Sequence, residues 1–431
     1  MNGGYTQYQQ TEILGLGILP INWRVKRVKH LFSIGRGRVI SQEELENNGR
    51  YPVYSSQTNN NGCLGYIDTY DFDCEQLTWT TDGANAGTIF FRKGKHNCTN
   101  VCGTLKLNNK LTILNFSAYS LGYCSQFHKR PDTNGAKIMN NEMAEICLPL
   151  PSKTEQEKIA AFLDHETAKI DTLIDKQQQL IELLIEKRQA VISHAVTKGL
   201  DPDVQMKDSG VEWLGEVPEH WKVIYIKHLS EVKRGASPRP IDDQKYFDEE
   251  GEYAWTRIAD VSLAGMYLKD TQQRLSSLGS SLSVKLERGE LFLSIAGTVG
   301  KPCITTSKAC IHDGFVYFPS LKINNKYLFY IFDAGQAYLG LGKMGTQLNL
   351  NTDTVGCIKV GLPPSLEIHE IVSYIVKQKE KYDLLISSAY EFIELIQERR
   401  TALISAAVTG KIDVRDWQVP VTQTESDEVM A

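Results

Sequence analysis

No run of eighteen apolar residues occurs in this sequence, so nothing in it suggests a membrane-spanning helix. The N-terminus has no basic region followed by an apolar stretch, so no secretory signal is visible. Cysteine is thinly spread: nine residues in 431 and no CxxC pair, the pattern of reduced cytoplasmic thiols rather than a disulfide framework. Cys98 and Cys102 form a lone CxxxC without a second ligand pair at zinc spacing. Catalytic signatures are missing as well. GTVGKP at 297–302 is too short for a phosphate loop, and Pro302 stands where Ser or Thr is needed. The GLG at 15–17 does not open a helix, and neither HExxH nor GxSxG appears. His165 and His194 lie on a long helical stretch, spaced as surface or interhelix residues rather than ligands. An excess of positive charge is also missing. At a net charge of −5, any nucleic-acid role must use local basic patches or charge borrowed from partner subunits.

What the chain does have is helix. Residues 153–198 contain neither Gly nor Pro. Apolar residues recur at Ile159, Phe162, Leu163, Ile170, Leu173, Ile174, Leu180, Ile181, Leu184, Val191 and Ala195, in the three- and four-residue steps of one helix face. Pro149 and Pro151 precede the stretch, and Gly199 with Pro202 ends it. Such a helix is about 70 Å long at about 1.5 Å per residue. Residues 366–409 form a second stretch of the same kind. Aligning Ile181–Thr197 with Ile393–Thr409, an offset of 393 − 181 = 212, gives eleven identities in seventeen positions. The globular parts repeat too: Pro20, Trp23, Lys29, His30, Leu31, Arg36 and Gly37 recur 198 residues later as Pro218, Trp221, Lys227, His228, Leu229, Arg234 and Gly235. A duplication of long period sets the architecture.

The expected fold is α+β: two β-rich domains joined by two long helices that form an antiparallel coiled coil, with a pseudo-two-fold internal repeat. Runs such as TIFFRK (88–93), CGTLKLN (102–108), GELFLSIAG (289–297) and GFVYFP (314–319) predict a mostly antiparallel sheet in each domain. The expected boundaries are a mobile tail at 1–13, a first domain at 14–151, a long helix at 152–199, a linker at 200–212, a second domain at 213–364, a second helix at 365–412 and a disordered acidic tail at 413–431. The other arrangement folds each helix back on its own domain, but a domain of this size is only roughly 30 to 35 Å across.

Arg24 to Arg38 holds six Lys or Arg and no acid, and Lys222 to Arg239 holds five with only Glu231. The first domain adds polar, Gly-rich stretches at 51–68 and 78–95, and the second at 291–303 and 341–353. Asn and Gln suit adenine, Arg and Lys suit guanine, and backbone amides suit phosphate oxygens. Arg36 and Arg234 are the leading candidates for DNA contact. Behind them stand Arg38, Thr81, Asn85, Lys93 and Lys95 in the first domain, and Arg239, Ser294, Thr298, Lys301, Lys343, Gln347 and Asn349 in the second.

Together these features resemble one family, the specificity subunit of type I restriction-modification enzymes, over about residues 14–413. The resemblance rests on Leu14, Gly15, Pro20 and Trp23 with their counterparts Leu214, Gly215, Pro218 and Trp221, on YPVYSSQ, DGANAG and GTQLNLN, and on the duplicated runs into and out of the long helices. In the second copy Glu155-Gln156 is matched by Ile368-His369, so the helix start there is expected to differ. The resemblance implies that each domain is a target recognition domain reading one half of a split, asymmetric duplex DNA site, with the helices as spacer. It implies no catalysis by this chain. Two methyltransferase (modification) subunits would carry S-adenosylmethionine, and restriction subunits would use ATP and Mg, in the cytoplasm and without a membrane. The missing phosphate loop and methyltransferase motif agree. The competing expectations are a protein–protein scaffold without DNA reading and a stand-alone DNA-modifying enzyme.

Overall fold

The structure, a computed structural model, describes residues 5–46, 48–133, 135–269, 271–338 and 350–420. Lys343, Gln347, Asn349 and the acidic stretch from 421 onward lie outside the described residues. The chain divides into two compact units. The first comprises the residues up to Gln177 and those from Glu391, and the second runs from Gln178 to Tyr390. The two Gly- and Pro-free stretches form single helices, Lys153–Lys198 and Ser365–Val408. Each helix is divided between the units, contrary to the arrangement in which it folds back on one domain.

In the first unit, four antiparallel strands run in the order Ile89–Arg92, Gln76–Thr80, Cys102–Leu107, Phe32–Arg36. A second sheet has the order Cys63–Ile67, Tyr51–Tyr54, Lys95–Cys98, Phe72–Asp73, and its central pair is parallel. The core gathers Trp79, Leu105, Phe116 and Leu121 with Ile159, Phe162 and Leu163 of the first long helix and Ala407 and Val408 of the second.

The second unit repeats this plan. One sheet runs Lys233–Arg234, Phe315–Tyr317, Leu291–Ser294, Pro302–Thr305, Tyr267–Leu268. The other runs Arg274–Leu275, Tyr253–Thr256, Ala309–Ile311, Val284–Leu286, again with a parallel central pair. Its core joins Val217, Trp221, Tyr327 and Phe332 to Ile192, Ala195 and Val196 of the first helix and Ile368, Ile371 and Ile375 of the second.

Within each unit the two helix segments run antiparallel. In the first, Phe162 packs on Trp417, beyond the end of the second helix, and Asp171 pairs with Arg400 at 3.1 Å. In the second, Arg188 pairs with Asp383, and the first helix ends at Gly199 beside Glu367 at the start of the second. These two ion pairs are the same pair duplicated, since 171 + 212 = 383 and 188 + 212 = 400.

A tryptophan closes each unit. Trp23 is buried, and its indole N–H donates to Glu155 Oε1 at 3.1 Å, at the start of the first helix. Gly410, just past the second helix, lies against Pro20 and Trp23. In the second unit Trp221 donates to Glu367 Oε1 at 2.9 Å and lies against Gly199. The equivalent of Glu155 is therefore Glu367, at the helix offset of 367 − 155 = 212, one residue earlier than the Ile368-His369 match. The helix starts differ instead at the next position. Buried Gln156 bonds Thr112, the Ile113 N–H and the Leu111 carbonyl, whereas Ile368 enters an apolar core.

Two expectations about the ends need correction. Residues 5–13 are no tail among the described residues: Tyr8–Gln10 pairs with Ile18–Pro20, and Tyr5 donates to Glu155. The expected linker at 200–212 holds one strand of the repeat of that hairpin, Met206–Asp208, paired with Glu216–Pro218 at the offset of 206 − 8 = 198. The start of the C-terminal stretch is also packed, with Val414 buried and Trp417 against Phe162.

Candidate nucleic-acid interface

Strand ends create the site. In the first unit the strand Phe32–Arg36 crosses the turn after Lys95–Cys98 so closely that a Cβ on Gly37 would sit 1.9 Å from the Cys98 carbonyl oxygen. In the second unit a Cβ on Gly235 would sit 2.1 Å from the His312 carbonyl oxygen. Only glycine permits this approach. It brings the segment carrying Arg36 and Arg38, or Arg234 and Arg239, beside the turn 99–102 or 312–315.

A second device is also duplicated. The Thr80 hydroxyl donates to the Asn85 carbonyl and accepts from the Thr88 N–H at 3.1 Å, closing the DGANAG loop on its own strand. Ser294 occupies the same strand position, and its hydroxyl donates to the Thr298 carbonyl and accepts from the Lys301 N–H at 2.9 Å. Identical clamps therefore present loops of unlike sequence.

These contacts sort the candidate residues. Ser294 is buried and acts as a clamp, and buried Thr81 donates to the Val101 carbonyl at 2.9 Å, so neither hydroxyl faces solvent. Lys93 and Lys95 are not brought to the loop cluster. They lie beyond the far end of Ile89–Arg92, about 13 Å of strand away from the loop. There Lys93 pairs with Glu75 at 2.9 Å, and Lys95 lies 4.5 Å from the Tyr70 ring centroid. Arg38 is at the cluster but is held by Glu44 and Asp71. Arg239 pairs with Asp313 at 2.9 Å, and Arg234 donates to the Asp313 carbonyl. Arg36 is exposed and meets the Met139 sulfur at 3.1 Å. Exposed Asn85 bonds Thr58 at 3.1 Å. Thr298 shares a hydrogen bond with Ser262 at 2.7 Å, and the Lys301 ammonium donates to the Ser262 carbonyl at 2.7 Å. Half of the long basic stretch lies elsewhere: Arg24–Arg27 is a strand paired with Cys147–Leu150, and Arg27 and Lys29 engage Glu145.

Three features escaped the sequence reading. The hairpin formed by Arg130–Asp132 and Gly135–Lys137 adds to Asp82–Gly83 and sets Arg130 and Lys137 beside the DGANAG loop. Its signal was the basic run HKRP followed by Asn-Gly. Ser56 donates to Asp82 at 2.9 Å and ties the 55–62 loop to the same cluster. Arg257 stands where the strand Tyr253–Thr256 reaches the cluster.

Electrostatics at the second cluster centre on His312 and Asp313. Burial works against the Asp313 carboxylate, but the Ser237 hydroxyl and Arg239 hold it below the usual carboxylate range. Burial beside Trp255 and Phe315 lowers the His312 pKa, with Asp313 pulling up, Arg257 down and Asp260 up. His312 Nδ1 accepts the Gly314 N–H at 2.8 Å, so the neutral ring is the one that fits. The unfolded chain binds this proton more readily than the folded one. The stability is thus complete above the ordinary histidine pKa of about 6.5 and is lost as pH falls below it. The melting midpoint is expected to drop between about pH 7 and pH 5, and His312→Asn should flatten that drop in a pH series of thermal melts. An unchanged slope would contradict the assignment.

Two copies of one frame, each holding different polar loops at the ends of its strands, define a duplicated recognition scaffold. A family model described as the type I restriction modification DNA specificity domain matches residues 20–183 and again residues 218–403. The chain belongs to that family. It is 47% identical over 139 residues to a putative type I specificity subunit N-terminus of Mycoplasma pneumoniae, a match covering 32% of this chain and 74% of that one. It is 41% identical over 138 residues to the MpnII type I restriction enzyme specificity subunit of the same organism, covering 32% of this chain and 42% of that one. Another putative specificity subunit of this organism, 43% identical over 141 residues, is covered to 39% of its length, against 32% of this chain. Among solved structures, a chain from a study of complex assembly and conformational transition in a type I system shares the fold at a TM-score of 0.70. That match has 14% identity and covers 91% of this chain and 99% of that one. The HsdS subunit of Thermoanaerobacter tengcongensis does so at 0.51, also at 14% identity, covering 91% and 98%. Among the described residues no helix is long and apolar enough to cross a membrane, and no group of three or more His, Cys, Asp or Glu is placed to hold a metal ion.

Proposed function

We propose that each unit reads one half of a bipartite duplex DNA site through its loop cluster, and that the chain serves as the non-catalytic specificity subunit of a cytoplasmic methyltransferase and restriction complex. The observation that carries this reading is the duplicated frame. The same glycine crossing and hydroxyl clamp recur in both units, while the loops they present differ, as two unlike half-sites require. In the first unit Arg36, Asn85 and the 130–137 hairpin would meet DNA. In the second, Arg234, Arg257, Thr298 and Lys301 would do so.

The long helices supply a docking surface for two copies of one partner. Exposed apolar residues recur at the helix offset: Leu180 with Phe392, and Leu183 with Leu395. Leu183 and Leu395 are each 61% exposed, an apolar surface that a partner would cover. Two identical methyltransferase subunits, carrying S-adenosylmethionine, fit a patch that occurs twice. Restriction subunits using ATP and Mg would complete the complex.

The test is binding of duplex DNA by the complex with its modification subunits, measured against salt. Arg36→Ala should weaken binding to all sequences alike and lower the slope of log affinity against log salt by about one if Arg36 neutralises a phosphate. Absence of salt-dependent binding of duplex DNA, even with the modification subunits present, would favour a protein scaffold instead.

A further inference from the structure

The two loop clusters differ in one chemically decisive place. In the first unit Tyr54 pairs with Cys98, and the next residue is Ser55, whose hydroxyl accepts from Thr99 at 2.9 Å. In the second unit the parallel pair places Thr256 opposite Ile311, so the residue in the position of Ser55 is Arg257. A short neutral side chain in one unit is thus a long cationic fork in the other.

Arg257 is exposed and pre-set. Its backbone N–H donates to Asp260 Oδ2 at 2.8 Å, and its Nη2 donates to the Gln273 side-chain oxygen. Gln273 is itself anchored to the sheet: its carbonyl accepts the Trp255 N–H at 2.9 Å and the Thr271 hydroxyl at 2.8 Å. The residue that receives the guanidinium is therefore itself tied to the sheet through its backbone. Because that partner is neutral, it leaves the positive charge uncancelled. Arg38 and Arg239 differ, since carboxylates hold both. Among the described residues no ion pair involves the Arg257 side chain. The neighbouring loop approaches closely, with Gly297 packed on Ile258, the residue after Arg257. Lys301, held by Ser262, supplies a second cation at the same cluster.

A guanidinium fork with free donors and a fixed direction matches the O6 and N7 acceptors of guanine on the major-groove edge. We propose that Arg257 is a specificity-determining residue that reads a guanine in the half-site of the second unit, and that the first unit makes no equivalent demand because Ser55 stands there. This rests on the DNA-reading assignment of the loop clusters.

The test is the methylated motif produced when the chain is expressed with its modification subunits in cells otherwise free of adenine methylation. The unaltered chain should give a bipartite motif with a required guanine in one half. Arg257→Gln should relax that one position, lowering discrimination for guanine about ten- to a hundredfold. The other half and the gap should stay unchanged. Arg257→Lys keeps the charge but loses the fork, and should relax the same letter while retaining non-specific DNA affinity. It also guards against a folding failure of the first variant. An unchanged motif in both variants would overturn the proposal. So would a uniform fall in methylation at every site with no letter altered, the behaviour of a phosphate contact. Absence of any bipartite motif from the unaltered chain would instead overturn the DNA-reading assignment itself, and this inference with it.

Discussion

Trp221→Ala is expected to lower the stability of the second unit by about 3–5 kcal/mol. For a unit of this size that is a fall in melting midpoint of roughly 6–20 °C. Trp221 is fully buried and touches elements from three parts of the chain. Its ring lies on Gly199 after the first long helix and on Gly361 in the strand before the second, while its N–H holds Glu367 at the start of the second helix. Val217 and Ile226 share the same core. Removing the indole opens a cavity that the helix ends cannot close, because each is anchored elsewhere. Glu367 keeps His220 at 2.8 Å, so the loss is mainly one of packing. Trp23→Ala should act on the first unit in the same way, through Glu155 and Gly410. Calorimetry of each variant checks this. A loss below about 1 kcal/mol would mean that the tryptophans do not close the units.

The second large effect concerns spacing. The two long helices are the elements whose residues belong to both units. Inserting one heptad after Gln177 and one after Tyr390 adds about 10 Å to each helix and leaves the apolar face nearly in phase, since seven residues fall about 20° short of two full turns. The unread gap between half-sites is expected to lengthen by about three base pairs of roughly 3.4 Å each, and the letters of both half-sites to stay the same. Sequencing of methylated sites gives both quantities at once. Altered letters with an unaltered gap would show that the helices do not set the spacing.

The long helices and the duplication were legible because their signals are local and dense: no Gly or Pro, a 3.6-residue apolar period, and constant offsets of 198 and 212. The hairpin strand Tyr8–Gln10 was not, although Met206–Asp208 repeats it. YQQ and MKD share no side chain, and backbone hydrogen bonds alone define that strand. Val414 and Trp417 were hidden in a stretch whose acidic end dominated its composition. At the site, a polar Gly-rich loop was readable as a loop, but the direction of a hydroxyl was not. Thr81 and Ser294 point inward because their hydroxyls bond the carbonyls of Val101 and Thr298 and so close the loops. Lys93 and Lys95 looked close to Asn85 in sequence, yet a strand lies between them and the loop. Arg257 was unreadable for a different reason. Its importance comes from the register of a parallel strand pair, which no local pattern encodes.

The most direct test of the central claim is the methylation pattern left in a genome by the chain with its modification subunits, with each unit altered in turn. Two unlike half-sites at one fixed separation, with changes in one unit's loops altering only one half, is the result this account expects. A single continuous motif, or a motif in which either change alters both halves, would contradict it.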